Sequence, residues 1–285
     1  MPYLTTNDQT QIYYQDWGSG RPVVLIHGWP VSSDMWEKQA THLVEQGYRV
    51  VTYDRRGFGR SDKPWQGYDY DTFASDLNSV LEACALTNAT LVGFSMGGGE
   101  VVRYLSHYGT TRVSSAVLVS AVTPFLLKTD DNPEGIDASV FEGIAQAIRK
   151  DRPAFMREFG AKFYGRTMLN HTVSDAALEW HQEMVLQGSL RATLAAAEAW
   201  ATTDFRDEMA GMIVPFLVIH GSSDATVPID ISARKSVKIL PNAQLVVLEG
   251  EAHGLFFTAA DTLNTELLQF LTRFAEPVPP AVQMT

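Results

Sequence analysis

The run Leu91 to Gly99 reads L-V-G-F-S-M-G-G-G, and within it Gly93, Phe94, Ser95, Met96 and Gly97 spell G-x-S-x-G. A serine hydroxyl is a poor nucleophile until geometry and partners activate it. This spacing describes such a geometry. An apolar strand (Thr90, Leu91, Val92) feeds a turn too tight for side chains two residues either side of Ser95, and the helix that follows aims its first N–H groups where an oxyanion forms. The bare pattern also occurs in ordinary turns with an inert serine. Here its flanks favour the chemical reading. The upstream run is continuously apolar, as in a strand buried on both faces. Downstream, Val101, Val102, Tyr104, Leu105 and Tyr108 recur at helical spacing.

A serine nucleophile needs a general base, and the base needs an orienting acid. Seven histidines compete: His27, His42, His107, His171, His181, His220 and His253. In open α/β sheets the chemistry sits beyond the carboxyl ends of the strands. His253, in the loop Gly250 to Gly254 after the last apolar run, fits that position. His42, His107, His171 and His181 fall on expected helices and read as solvated or packed. His27 and His220 each precede a glycine at a strand end and read as turn-shaping residues. Asp224 follows the penultimate apolar run and is the candidate acid. Asp230 competes but looks like the N-cap of the next helix. The resulting order, Ser95, Asp224, His253, is a known order for this kind of site. For the oxyanion, the backbone N–H of Met96 is one candidate donor. The loop His27-Gly28-Trp29-Pro30 supplies the other through Trp29, because Pro30 has no N–H.

These residues need a frame. Tyr3–Thr6 and Gln11–Asp16 read as a hairpin around Asn7 and Asp8. Beyond it, apolar runs at Val23–Ile26, Val50–Tyr53, Thr90–Val92 and Ala116–Ser120 alternate with helical patterns at Asp34–Glu45, Asp71–Ala85 and Ser95–Tyr108. Asp34 reads as the cap of the first helix. Alternation resumes at Pro215–Ile219, a helix near Ile231–Leu240, Leu245–Leu248, and a helix Ala260–Phe274. Such alternation predicts an α/β fold with a parallel sheet and helices on both faces. Between about Asp130 and Asp207 the pattern is helical only. Phe141, Ile144, Ala145, Ile148, Phe155, Phe159 and Phe163 form stripes that mostly read as core. The expected organisation is a core at 1–124 and 210–275, a helical insertion at 125–209, and a flexible proline-rich tail at 276–285.

The 285 residues carry 22 basic and 33 acidic side chains, a formal charge of −11. That sign argues against nucleic-acid or anionic-membrane partners. A single cysteine, Cys84, excludes an intrachain disulfide framework and reads as a packed thiol. The N-terminus lacks a leader pattern and no stretch approaches a membrane span, so a reducing, cytoplasmic setting is expected. Neither a metal-ligand cluster nor a dinucleotide fingerprint is apparent, so no cofactor is expected.

The segments H-G-W-P, D-R-R-G-F-G-R-S-D (Asp54 to Asp62), G-F-S-M-G-G-G-E with V-x-R-Y, H-G-S-S-D-x-x-V-P and the late H-G resemble the α/β-hydrolase fold. More narrowly, they resemble its cofactor-free haloperoxidases, perhydrolases and aryl esterases, from about Tyr3 to Phe274. The resemblance implies a mostly parallel sheet of roughly eight strands with a helical cap. It implies pocket positions Trp29, Val122, Phe159, Phe163, Thr226 and Ile229. Thr226 departs from the larger apolar residue usual there, and Ile144 from a residue often aromatic. Pro30 stands where perhydrolytic members commonly carry proline. Proline fixes its own φ and restricts Trp29, so the Trp29 carbonyl can be placed to meet hydrogen peroxide. The implied substrates are small esters, carboxylic acids and hydrogen peroxide, with homo-oligomers common. A lactonase or γ-lactamase is the alternative within the family. A non-catalytic ligand receptor on the same fold is the alternative outside enzymes.

Overall fold

The computed structural model describes residues 3–273. The tail read at 276–285, and Phe274 at the end of the last expected helix, lie outside the described residues. The strands are β1 (Tyr3–Thr5), β2 (Gln11–Trp17), β3 (Pro22–Ile26), β4 (Arg49–Tyr53), β5 (Ala89–Phe94), β6 (Val113–Val119), β7 (Phe216–Gly221) and β8 (Ala243–Leu248). They form one eight-stranded sheet in the order β1-β2-β4-β3-β5-β6-β7-β8. β2 pairs antiparallel with both β1 and β4, and the remaining neighbours are parallel. The central strands owe their burial to composition: Val23–Ile26, Leu91–Val92 and Val117–Val119 are apolar runs sealed on both faces. β5 runs past the expected Val92, because Gly93 and Phe94 still pair with Leu118 and Val119.

Helices α1 (Glu37–Glu45), α2 (Tyr70–Ala83) and α3 (Met96–Tyr108) follow the early strands. Between β6 and β7 come α4 (Ala138–Phe163), α5 (Asp175–Leu186), α6 (Leu190–Thr202) and α7 (Arg206–Ala210). The chain ends its described part with α8 (Ala233–Ile239), α9 (Leu255–Thr258) and α10 (Ala260–Arg273). α1 packs with α10 and α2 with α3, as expected of helices layered on a parallel sheet. α4 is broken at Asp151, whose φ and ψ are −158° and 86°. Its carboxylate accepts the Ala154 N–H at 3.0 Å, so it caps a second helical segment with Pro153 in its first turn.

Three local expectations are corrected. Asp34 does not cap α1: Ser33–Trp36 forms a 3-10 turn first, and Asp34 pairs with Arg60 at 2.6 Å. Asp230 does not cap α8: it lies in the 3-10 turn Ile229–Ile231 and pairs with Arg234 at 3.0 Å, while Ser232 holds the cap position. In both places an arginine, Arg234 one turn on and Arg60 from a distant loop, takes the carboxylate from the backbone. His171 lies in the loop between α4 and α5, not on a helix.

Cys84 closes α2 and is buried. Met35, Met96, Met156, Met184, Met209 and Met212 are buried, whereas Met168, in the same loop as His171, is 96% exposed. Among the described residues no helix is long and apolar enough to cross a membrane.

Candidate active site

Ser95 sits between β5 and α3 with φ 53° and ψ −117°. A non-glycine residue held in so sparsely populated a conformation costs roughly 1–3 kcal/mol. Two glycines permit the turn. A Cβ on Gly93 would lie 2.4 Å from the Gly97 carbonyl oxygen, and one on Gly97 would lie 2.6 Å from that of Ile26. The turn is therefore pressed against the end of β3.

The loops after β7 and β8 bring Asp224 and His253 to the serine. His253 Nε2 is 3.0 Å from Ser95 Oγ, and Nδ1 is 2.6 Å from Asp224 Oδ2. A carboxylate only accepts, so Nδ1 carries the proton and Nε2 accepts from the serine hydroxyl. The other Asp224 oxygen accepts the N–H groups of Thr226 at 2.9 Å and Val227 at 2.8 Å. His220 Nε2 lies 3.2 Å from Asp224 Oδ2 and 2.8 Å from the Val227 carbonyl. Burial opposes ionisation of Asp224, but the electrostatic pull of the His253 and His220 imidazoles and the hydrogen bonds from them outweigh it. They hold its carboxyl below the usual range. The arrangement can draw the proton from Ser95 Oγ while fixing the ring that receives it.

Trp29 follows β3 in a loop laid against the serine: a Cβ on Gly28 would be 3.0 Å from Ser95 Cβ. Met96 opens α3 directly after Ser95. The Trp29 indole N–H donates to the Thr193 carbonyl in α6 at 2.9 Å. Its ring meets Phe159 edge-on, with centroids 5.5 Å apart.

A cavity of about 490 Å³ opens over Ser95 and His253. Trp29, Val122, Phe159 and Thr226 lie in its wall. Three expected pocket residues do not. Phe163 stands behind His253, the two rings edge-on with centroids 4.9 Å apart. Ile229 packs into the core from its 3-10 turn, and Pro30 is buried outside the wall. Among the described residues no group of three His, Cys, Asp or Glu side chains is placed to hold a metal ion.

The alpha/beta hydrolase fold family model matches residues 21–260. The chain belongs to the α/β-hydrolase fold family. It is 47% identical to a putative non-heme chloroperoxidase of Synechocystis, across 95% of this chain and 100% of that relative. It is 39% identical to a bifunctional esterase/perhydrolase of Acinetobacter calcoaceticus, across 95% of this chain and 99% of the relative. The crystal structure of a bromoperoxidase from Bacillus anthracis superposes with a TM-score of 0.89 at 47% identity, covering 92% of this chain and 96% of that one.

In this α/β hydrolase, sequence reasoning missed part of the cavity. Phe141, Ile144 and Phe155 from the stripe read mostly as core, together with Trp200, line the wall, and Glu158 and Lys162 add charge to it. Trp200 carried one signal, a large ring in the alanine-rich run of α6. The contact of His220 with Asp224 had none, because it depends on which way a strand-end side chain points.

Proposed function

We propose that this α/β hydrolase cleaves small carboxylic esters through a Ser95 acyl-enzyme and forms peracids when hydrogen peroxide replaces water. His253 takes the Ser95 proton as Oγ attacks the ester carbonyl, and Asp224 holds the ring in its Nδ1–H tautomer. The Trp29 and Met96 N–H groups receive the oxyanion. The alkoxide leaves with the proton from His253. Water then adds to the acyl carbon and releases the acid and Ser95; hydrogen peroxide in its place releases RCO₃H. Peracid oxidises bromide to hypobromite and returns to the carboxylic acid. In this reading residues 125–209 act as the cap, and Phe159 and Trp200 shape the acyl pocket. The acidic surface and single buried thiol fit a reducing aqueous compartment.

The observation that carries this reading is the unbroken contact chain Ser95–His253–Asp224 at 3.0 and 2.6 Å. The esterase/perhydrolase and chloroperoxidase relatives support the two fates of the acyl group. The experiment is Ser95→Ala, assayed on p-nitrophenyl acetate and on bromination of monochlorodimedone with acetate, peroxide and bromide together. Both rates should fall to background, a loss of roughly 10⁶. Ester turnover surviving in that variant removes Ser95 as nucleophile.

A further inference from the structure

Resting on the reading of Trp29 as an oxyanion donor, we propose that His27 is the positioning residue that aims the Trp29 N–H at the reacting carbonyl. His27 Nδ1 lies 2.7 Å from the Gly28 carbonyl oxygen. The Arg55 backbone N–H points at His27 Nε2 from 2.9 Å. A backbone N–H can only donate, so Nε2 accepts and the single proton of the neutral ring sits on Nδ1. Nδ1–H therefore donates to the Gly28 carbonyl. The Gly28–Trp29 peptide is trans, since the cis bonds among the described residues are Trp29–Pro30 and Thr123–Pro124. In a planar trans peptide the C=O and N–H point in opposite directions. Fixing the Gly28 oxygen on His27 turns the Trp29 N–H the other way.

His27 is itself held. It is fully buried, as are Arg55 and Glu100. Arg55 Nη2 donates to the His27 carbonyl at 2.8 Å, and the same guanidinium pairs with Glu100 at 2.6 Å. Tyr53 donates its hydroxyl to the other Glu100 oxygen. Burial raises the Glu100 carboxyl despite the opposing pull of Arg55 and Tyr53, and its two oxygens accept from both side chains. Glu100 lies one turn along α3 from Met96. The ion pair thus ties the helix bearing one candidate donor to the loop bearing the other. Arg55 Nη1 is 3.4 Å from Nδ1, two donors facing without a bond. Burial and the Arg55 charge lower the His27 pKa to about 3, so the ring stays neutral throughout the working range.

Two substitutions separate donor from acceptor. In His27→Gln the side-chain oxygen can replace Nε2 as acceptor for Arg55, but no donor remains at the Nδ1 position. In His27→Asn the amide nitrogen can replace Nδ1–H, and the Arg55 N–H is left unpaired. His27→Gln should lose about 10²-fold in kcat on p-nitrophenyl acetate, with KM little changed and a matching loss of affinity for an alkylboronic acid. His27→Asn should melt at a lower temperature yet keep kcat within about tenfold of wild type. If the two variants lose kcat alike, or His27→Gln keeps full kcat, the proposal falls. Should His27→Gln not fold, ¹⁵N spectra of the wild-type imidazoles decide. A neutral His27 protonated on Nδ1 from pH 5 to 9 supports the proposal, and protonation on Nε2 overturns it. That spectrum stands whether or not Ser95→Ala abolishes turnover, so failure here is distinct from failure of the serine mechanism.

Discussion

Asp224 shows how much one atom can decide. Its Oδ2 fixes the His253 proton on Nδ1, and an amide in its place can offer a donor there and turn the ring to the wrong tautomer. Asp224→Asn should therefore fold normally and lose about 10⁴ in kcat, read on p-nitrophenyl acetate. Ser95, Asp224 and His253 were legible in the sequence because each closes a strand, and strand ends converge in this fold. What the sequence hid was direction. His220 and His27 looked alike, each a histidine before a glycine at a strand end. One touches the Asp224 carboxylate, and the other holds the Gly28 carbonyl and an arginine N–H. Residue type is written in the chain, but the face to which a side chain turns depends on elements far away in sequence.

At the scale of elements, α5 meets α4 through a buried histidine. His181 packs on Phe163, with ring centroids 5.2 Å apart, and its Nδ1 lies 3.2 Å from the Tyr164 hydroxyl. Burial lowers its pKa to about 4, against roughly 6.5 in an unfolded chain. Above pH 6.5 both states are neutral and this group gives no pH dependence. Between 6.5 and 4 the unfolded state binds the proton first, so stability falls as pH drops, by up to about 1.4 kcal/mol per unit. His27 adds to the same window. The unfolding free energy from urea titration should fall between pH 7 and pH 5, and His181→Phe should shrink that loss by about 2 kcal/mol. The strands and most helices were readable here because burial writes continuous or periodic apolar patterns. Helix starts at Asp34 and Asp230 were not, since each carboxylate found an arginine instead of a backbone N–H. Nor could periodicity tell which phenylalanines of α4 face a cavity, because core and cavity walls bury the same apolar face.

Across the whole molecule the site is shared between two parts of the chain. Ser95, Asp224 and His253 come from the sheet, while Phe159 and Trp200 come from helices inserted between β6 and β7. The indole N–H of Trp29 bonds across that boundary to the Thr193 carbonyl. Trp29→Phe keeps the backbone donor and the ring but loses this bond, worth about 1 kcal/mol. The expected result is kcat within about tenfold, KM raised about fivefold, and faster amide exchange in α6. Unchanged exchange there would show that the bond does not hold the helices down. The burial of sulfur has its own consequence. Under the proposed perhydrolysis, the peracid released would be a sulfur oxidant of the protein's own making. Burial pushes the Cys84 thiol up to about 11, which keeps its reactive thiolate scarce. Met96, beside Ser95, is sealed from solvent. Met168, by contrast, meets the solution on the loop between α4 and α5. On the proposed activity, the buried sulfurs are the ones the product reaches last.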